Sequence, residues 1–243
     1  MALIGHLGSE PTPRVMRSGL GDVAESYSFR CDAKQAERRF RDFDRWIGGV
    51  AHFVLGDVLP ERIVKGSQPV YTDGAVVGVA VITTMAIQNL SVDPAVCRIA
   101  EGVDYGDGNV RRPRMGDVLL TVDGGTSIGK AVVFDLPGDY AVDSHVAILR
   151  PVGLDPVVLV HLLASPLGQL QFQRAESGAS GQTAVTEEDI RRFRFPLLDP
   201  DVQARAIADV REARAKALGL REEADAFEQK GWEAFLKDCA PGL

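Results

Sequence analysis

Hydrophobic residues near the start of the chain follow a helical period. In the charged segment AKQAERRFRDFDRW (33–46), Phe40 and Phe43 are three residues apart and Ile47 lies four further on. That spacing predicts a short amphipathic helix, which the Gly-Gly pair after Ile47 ends. Residues 1–23 contain Gly, Pro, Ser and Arg without a clear period, so we expect a loosely ordered lead-in there.

The pattern changes to short β-branched runs between residues 50 and 150. The runs are Val50–Leu55, Ala75–Thr83, Val118–Val122, Ala131–Phe134 and Ala141–Leu149. Turn residues such as Asp-Gly, Gly-Asp-Gly-Asn and Pro-Gly-Asp separate them. Strands and turns at this pace predict a β-rich domain, without the long alternating helices of a doubly wound sheet.

After Arg150 the chain shows three helix starts with capping residues. Asp155 and Ser165 each precede a proline, which suits the first helical position. Thr186 begins a Thr-Glu-Glu-Asp segment that fits a capping box with Asp as its last member. The segment RFRFPL that follows has the alternation of a strand, so this region predicts short helices and one further strand.

The last segment predicts one long helix with an apolar stripe. Asp199 caps it, Pro200 takes its first position, and no strong breaker follows until Pro241. Most apolar residues are spaced by three or four and share one face. They are Ile207, Val210, Ala213, Ala217, Leu220, Ala224, Phe227, Trp232 and Phe235. A rod of ~55 Å is too long to be buried along its whole length by the preceding domain. We therefore expect the stripe to pack on a helix of a second copy or of a partner; the alternative is a helix folded back on its own domain.

Together these patterns predict an α+β fold. A β-rich domain with short helices covers residues 24–198, and the long C-terminal helix covers 199–240, after the lead-in at 1–23. Composition agrees with a folded chain, since hydrophobic residues make up 45% and charged residues 25%. We expect no membrane segment, because no apolar run approaches the ~18 residues that a span needs.

Targeting and cysteine content predict a cytoplasmic protein. The N-terminus lacks the basic start and apolar stretch of a secretory signal. The three cysteines form no CxxC pair and no disulfide framework. Four scattered histidines leave little material for a zinc site, so we expect no bound metal.

The sequence gives no indication of a catalytic site. GGTSIGKA (124–131) approaches a phosphate-binding P-loop, but Ala131 replaces the hydroxyl residue that would hold Mg²⁺. A strand-like AVVF then follows where a P-loop needs a helix N-terminus, so a glycine-rich connection between two strands is the better interpretation. Ser144 and His145 are neighbours in a predicted strand and would point to opposite faces, which excludes a nucleophile–base pair. There is also no nucleophile elbow, acid/base carboxylate pair or glycine-rich dinucleotide or adenosylmethionine loop. We expect a protein that is not an enzyme and holds no cofactor.

Polar loops and arginine clusters supply the groups that a DNA-binding protein needs. The loops are Lys65–Pro69, Asp123–Lys130 and Glu176–Thr183, and the clusters are Arg111-Arg112-Pro113-Arg114 and Arg191-Arg192-Phe193-Arg194. Lysine and arginine bind phosphates, while Gln, Ser, Thr and Arg reach base edges. Glycines let the loop backbone approach closely.

Seven segments in order resemble a target recognition domain and spacer helix of type I restriction–modification specificity subunits. They are LGDVLPERIVKGSQP (55–69), VITTMAIQN (81–89), GDVLLTVDGGTSIGKAVV (116–133), DSHVAILRP (143–151), LVHLLASPLGQLQFQ (159–173), SGASGQTAVTEEDIRRFRFPLLDPDVQARAIADV (177–210) and the long helix. SYSFRCDAK (26–34) is similar to the lead-ins of such domains in adenine-methyltransferase systems. Family members usually carry two domains and two helices, so this chain resembles a half-subunit.

The resemblance implies a non-catalytic, sequence-specific reader of double-stranded DNA. Two copies would pair through their helices as a homodimer, each reading half of a bipartite site. An adenine-N6 methyltransferase subunit would bring adenosylmethionine, and a restriction subunit would be a further partner. The residues expected to contact DNA are Lys65, Ser67, Gln68, Arg111, Arg112, Arg114, Lys130, Ser180, Gln182 and Thr183. The residues expected at the dimer or partner interface are Ile207, Val210, Ala217, Leu220, Ala224 and Phe227.

The charge balance keeps a second hypothesis open. The net charge is −7, and residues 57–198 hold 12 basic against 17 acidic residues, whereas nucleic-acid binders usually show a basic balance. Total charge is a blunt criterion, because binding needs one basic face and not a basic whole. The alternatives are a protein-interaction module with no DNA role and, with least support, a nucleotide-binding enzyme acting through Lys130.

Overall fold

The computed structural model describes residues 33–69, 71, 78–88, 90–100, 110–177 and 183–239. The helices are α1 (Arg38–Gly48), α2 (Pro156–Ala164), α3 (Pro166–Ala175), α4 (Glu187–Arg191) and α5 (Pro200–Cys239). The strands are β1 (His52–Val54), β2 (Val64–Lys65), β3 (Val79–Ile82), β4 (Ile87–Gln88), β5 (Ser91–Val92), β6 (Arg98–Ala100), β7 (Val118–Thr121), β8 (Ala131–Val133), β9 (Tyr140–Val142), β10 (Val146–Leu149) and β11 (Arg194–Pro196). This mixture confirms the predicted α+β class. The predicted lead-in at 1–23 lies outside the described residues.

The chain divides into two compact units, one ending at Leu197 and one beginning at Leu198. A four-stranded antiparallel sheet in the order β2-β10-β7-β8 lies in the first unit. A three-stranded sheet has the order β6-β3-β9, with β3 and β9 parallel. Two smaller sheets pair β1 with β11 and β4 with β5.

Strand β7 is the central strand of the core, because both of its faces are buried. Val118 and Leu120 belong to one hydrophobic cluster, together with Phe172 of α3. Leu119 points the other way into a second cluster that includes Ile148 of β10. Successive side chains of a strand point to opposite faces, so a continuous apolar run such as VLLTV is what a strand covered on both sides requires.

Helix starts follow the predicted capping residues. The Asp155 carboxylate accepts the Val157 N–H at 2.7 Å, and the Ser165 hydroxyl accepts the Gly168 N–H at 3.3 Å. Thr186 and Asp189 form the reciprocal capping box at the start of α4. These side chains satisfy backbone donors that would otherwise lack partners at a helix N-terminus.

Helix α1 packs as its sequence period predicts. Phe40, Phe43 and Ile47 are buried and form a cluster with Leu170 of α3. Charged residues cover the other face, where Asp42 forms ion pairs with Arg38 and Arg45 on the same helix.

The predicted strand over Ala141–Leu149 is wrong at its centre. Asp143, Ser144 and His145 form a turn between β9 and β10, two strands that belong to different sheets. The Asp143 carboxylate accepts the His145 N–H at 2.9 Å and stabilises this turn. An Asp side chain that bonds the backbone two residues on is a common turn former, and the run of β-branched residues around it conceals the break.

Helix α5 begins and ends as predicted, with the Asp199 carboxylate accepting the Asp201 N–H at 2.9 Å. Its 40 residues extend for about 60 Å. Among the predicted interface residues, Ile207 and Val210 are half-buried, whereas Ala217, Leu220 and Ala224 are exposed and Phe227 is 79% exposed. None of the helices in the described part of the chain is long and apolar enough to cross a membrane.

We expect Thr121→Val to stabilise the first unit. Thr121 is fully buried in β7, and its hydroxyl has no hydrogen-bond partner among the described residues. A buried unpaired hydroxyl destabilises a fold, while valine has almost the same shape. The free energy of unfolding should rise by about 1 kcal/mol in chemical denaturation. A decrease of similar size would mean that the hydroxyl has a partner after all.

Candidate nucleic-acid interface

Two of the predicted polar loops and the turn at 143–145 meet at one end of the four-stranded sheet. In antiparallel neighbours the end of one strand lies beside the start of the next. Lys65 ends β2 and Asp123 follows β7, while Lys130 and His145 directly precede β8 and β10. Backbone hydrogen bonds tie these positions together, from Val122 to His145 at 3.0 Å and from Thr121 to Lys130 at 2.9 Å. We call this part of the sheet, with the segments 65–69, 122–130 and 143–145, the loop end.

Asp123 is the centre of a charged cluster at the loop end. Its carboxylate accepts a hydrogen bond from Lys65 Nζ at 2.8 Å, and its other oxygen contacts His145 Nδ1. Burial favours the neutral acid, but the hydrogen bonds and charges of Lys65 and His145 outweigh burial and lower the pKa of Asp123. Asp123 is 18% exposed, against 47% for Lys65 and 46% for His145. The carboxylate therefore works as an ionised anchor that holds two exposed nitrogen donors.

Gln68 and Ser144 form a second pair beside this cluster. The Ser144 hydroxyl donates to Gln68 Oε1 at 2.9 Å. Gly66 makes this approach possible, because a Cβ there would lie 1.8 Å from the Val142 carbonyl oxygen. Gly66 also donates its N–H to the Val146 carbonyl at 3.2 Å. Ser67, between them, is half-buried.

The third predicted loop reaches the same place through its backbone. Ala184 pairs with both Ser177 and Asp123 as isolated β-bridges, and Val185 N–H donates to the Val122 carbonyl at 2.8 Å. This pairing brings Thr183, which is half-buried, to the loop end. Ser180 and Gln182 lie outside the described residues.

Lys130 borders an open cavity of about 580 Å³. Met85, Gln88, Thr126 and Gln169 also line it. Within the described part of the chain, the ammonium of Lys130 contacts no acceptor, so its charge is available to an external anion.

The arginines of the first cluster do not all reach the loop end. Arg111 accepts the Val142 N–H on its carbonyl at 3.0 Å and lies beside the turn at 143–145. Arg112 forms an ion pair with Asp139, which precedes β9. Arg114 N–H donates to the Asp117 carboxylate at 2.8 Å, just before the first residue of β7 and therefore at the opposite end of the sheet. The structure therefore brings Arg111 to the loop end and places Arg112 and Arg114 elsewhere. That these arginines contact DNA stays a prediction.

The second arginine cluster contributes to internal contacts. Arg191 donates to the Leu59 carbonyl at 2.7 Å and pairs with Glu187 at 3.0 Å. Arg192 pairs with Glu188, and Arg194 pairs with Asp44. Arg191 and Arg194 are thereby held by partners in other elements, whereas the Arg192 pair is local and exposed. Contact of this cluster with DNA stays a prediction.

His145 is the loop-end residue that the sequence interpretation missed. It was placed in a strand, facing away from Ser144, whereas the turn directs both side chains to partners at the loop end. Asp143 in the same turn is buried, and burial raises the pKa of its carboxyl group. The sequence signal was the Asp-Ser-His triplet inside a β-branched run, because Asp and Ser are turn formers.

The segment that approaches a P-loop is a connection between strands, as predicted. Gly125–Ser127 forms one 3-10 turn, and β8 begins at Ala131 after three further residues. Gly129 has φ +85°, and a Cβ there would lie 2.8 Å from the Phe172 ring. No helix N-terminus is present in this segment to hold phosphates.

Among the described residues, no group of His, Cys, Asp and Glu could hold a metal ion.

Comparison with known proteins shows the fold. No protein-family profile and no curated protein matches the sequence. One similar chain comes from a structural study of complex assembly and conformational transition of the type I R-M system. It is 22% identical to this chain, with a TM-score of 0.50 over 78% of this chain and 45% of that one. The type I restriction–modification S subunit from M. genitalium is 11% identical, with a TM-score of 0.52 over 78% of this chain and 46% of that one. The HsdS subunit from Thermoanaerobacter tengcongensis is 20% identical, with a TM-score of 0.47 over 75% and 46% of the two chains. The chain thus spans about half the length of these proteins and shares the fold of the first two.

Proposed function

We propose that this chain is a non-catalytic DNA recognition subunit of a restriction–modification system. It reads one half of a bipartite site and acts with an adenine-N6 methyltransferase subunit, which carries the adenosylmethionine. The observation that carries this proposal is the loop end, where three separate segments place Lys65, Gln68, Lys130, Ser144 and His145 on one polar surface. The shared fold with S subunits supports the same function.

The chemistry of the loop end suits a DNA duplex. Lys65, Lys130 and Arg111 are exposed cations that can contact backbone phosphates. Gln68 and Ser144 offer neutral donors and acceptors for base edges. Mixing cations with neutral polar groups in this way is typical of surfaces that position on phosphates and discriminate by bases.

The excess of acidic residues in the chain is compatible with DNA binding at the loop end, because several carboxylates form ion pairs with arginines of the same chain. Asp117 pairs with Arg150 at 3.0 Å, and Asp44 pairs with Arg174 at 2.8 Å. Glu187 contacts Arg191 at 3.0 Å. Each of these carboxylates is neutralised by an arginine. The net charge of −7 describes the whole chain and not the potential of one surface.

Exchange of the recognition domain tests the proposal. The chain is combined with an adenine methyltransferase subunit that it binds, and methylated adenines are mapped in genomic DNA. Replacing residues 55–195 by the matching region of another such domain should change the methylated sequence while methylation itself persists. An unchanged methylated sequence would contradict the proposal.

The salt dependence of DNA affinity separates this function from a protein-interaction module, which the acidic balance favours. Each phosphate contact adds about 0.9 to the slope of log affinity against log salt concentration. Lys65→Ala should therefore lower that slope by about 1, as measured by fluorescence anisotropy on the assembled complex. Arg62→Ala, at the opposite end of β2, is the matched control and should leave the slope unchanged. An interaction module would show no salt-dependent affinity at all.

Assembly through α5 follows from its exposed stripe. Val210, Ala217 and Ala224 repeat every seven residues, and Leu220 and Phe227 repeat between them. Positions that alternate by three and four in this way form the seam of a coiled coil. With Phe227 at 79% exposed, we propose that a second copy covers the seam.

Flanking charges favour an antiparallel pair. In the antiparallel register, Ala217 faces Leu220 of the second copy and Val210 faces Phe227. On one flank of this seam, residue 209 then faces residue 230, and residue 216 faces residue 223. Asp209 then meets a lysine and Lys216 meets a glutamate. A parallel pair would instead set Lys216 against Arg221 and Glu223 against Glu228, and its one attractive contact would be between positions 209 and 214. The opposite flank of the antiparallel register places two arginines together, which reduces this preference without reversing it.

We expect Lys230→Glu to weaken the dimer about tenfold, because two attractive contacts become repulsive at about 0.7 kcal/mol each. The double variant Asp209→Lys, Lys230→Asp restores opposite charges and should recover wild-type association. Sedimentation equilibrium over a range of concentrations measures both. A wild-type chain that stays monomeric throughout, or a double variant as weak as the single one, would contradict this register.

A further inference from the structure

We infer that Gln68 reads the edge of an adenine in the major groove and that Ser144 is the positioning residue that orients its amide. The inference rests on the proposed function and adds the base class. The hydroxyl of Ser144 donates to Gln68 Oε1 at 2.9 Å, which fixes the amide with its oxygen toward Ser144. A carbonyl oxygen has two lone pairs, so Oε1 keeps one acceptor position, and Nε2 keeps two donors.

The backbone on both sides of this contact is held in place. Gly66 lies against the carbonyls of Val142 and Asp143 so closely that a Cβ would be 1.8 and 2.4 Å from their oxygens. Pro69 restricts Gln68 to extended backbone conformations. On the other side, the Asp143 carboxylate holds the turn by accepting the His145 N–H at 2.9 Å. A side chain ordered before binding loses less entropy when DNA binds.

The remaining donor and acceptor match adenine better than the other bases. Adenine presents an acceptor at N7 beside a donor at N6, and a glutamine amide pairs with both at once. Guanine presents two acceptors, so one of them would face Oε1. Cytosine and thymine each present a single polar group in the major groove, which leaves half of the amide unpaired.

The neighbouring charges fix how the amide meets the duplex. Asp123 holds Lys65, three residues before Gln68, at 2.8 Å, and it also holds His145, the residue after Ser144. Both anchored side chains are about half exposed. Lys65 can contact a backbone phosphate near the amide, and such contacts set the register of a protein on DNA.

Selection from a randomised duplex library tests the inference, using the full chain alone and with its methyltransferase. Wild type should enrich a motif in which one position prefers adenine over the other bases by about tenfold or more. Gln68→Ala should reduce the preference at that position to less than about twofold and leave the other positions intact. Gln68→Glu should shift it toward cytosine, whose N4 amino group donates to a carboxylate.

Two variants of Ser144 separate the orientation of the Gln68 amide from the mere presence of the Gln68 side chain. Ser144→Ala should lower the adenine preference at the same position by about threefold to tenfold, and Ser144→Thr, which keeps the hydroxyl, should restore it. Gln229→Ala is the matched control, since Gln229 is an exposed glutamine on α5 whose amide also has a side-chain partner, Glu233, at 3.1 Å. It should leave the motif unchanged. Thermal unfolding confirms that each variant is folded.

The possible failures are distinguishable. A wild-type chain that enriches no sequence, alone or with its partner, overturns the proposed function and this inference together. A wild-type motif that Gln68→Ala and Gln68→Glu leave unchanged at every position overturns the assignment of Gln68 alone. A motif that changes with Gln68 but not with Ser144→Ala overturns the positioning role of Ser144.

Discussion

Replacing Asp44 by alanine should lower the free energy of unfolding of the first unit by about 3 kcal/mol. Asp44 lies on α1 and accepts a hydrogen bond from Arg174 of α3 at 2.8 Å, and it also pairs with Arg194 of β11. The side chain of Arg174 is only 8% exposed. Without Asp44, its guanidinium keeps the Gln35 amide oxygen at 3.1 Å but loses its ion pair to α1.

The size of this effect comes from the burial of the Arg174 guanidinium, which loses a carboxylate partner, while Arg194 loses the same partner. Removing one member of a buried ion pair leaves an uncompensated charge, whereas exposed pairs contribute about 0–1 kcal/mol. Asp42→Ala is therefore a matched control on the same helix, because its partners Arg38 and Arg45 are 52% and 77% exposed. Urea denaturation of both variants checks the difference. Equal losses would show that Arg174 finds another acceptor.

Features that depend on neighbours in sequence were predictable. The caps at Asp155, Ser165, Thr186 and Asp199 each bond backbone two or three residues away, so the sequence contains both partners of every contact. The period of Phe40, Phe43 and Ile47 likewise reflects one helix face. Local propensity and capping chemistry act over the same short range, which is why helix starts were found.

Features that depend on distant partners were not predictable. Arg194 and Asp44 are 150 residues apart, so the sequence could not show that this arginine is used inside the fold. The same limit hid the pairing of β3 with β9, which lie in parallel although most strands here are antiparallel. A cluster of arginines has the same composition whether its partners are phosphates or internal carboxylates.

The candidate interface lies between these cases. Its loops were predictable from their polar and glycine-rich composition, but their meeting depends on the strand order β2-β10-β7-β8. Lys65 and Asp123 are 58 residues apart and Gln68 and Ser144 are 76 apart. The turn at Asp143 was hidden because short β-branched runs on both sides of it have the composition of one long strand.

Gly66→Ala should displace the segment 66–68 and weaken DNA binding about tenfold, provided that the loop end is the interface. The added Cβ would lie 1.8 Å from the Val142 carbonyl oxygen, and this neighbour is backbone that cannot rotate away. The segment must move, which costs about 1–3 kcal/mol of folding free energy as overpacking. It also breaks the bond from Gly66 N–H to the Val146 carbonyl, at 3.2 Å, and carries Gln68 away from Ser144.

Gly48→Ala provides the matched control for this prediction. Gly48 is the last residue of α1, and a Cβ there would meet nothing within 4 Å. Alanine is a better helix former than glycine by up to ~1 kcal/mol, so this variant should be neutral or slightly more stable and bind DNA normally. Denaturation and DNA titration of the two variants separate the effects. If Gly66→Ala binds DNA as tightly as wild type while its loop is displaced, bases and phosphates are contacted elsewhere, and the assignment of the interface to the loop end is wrong.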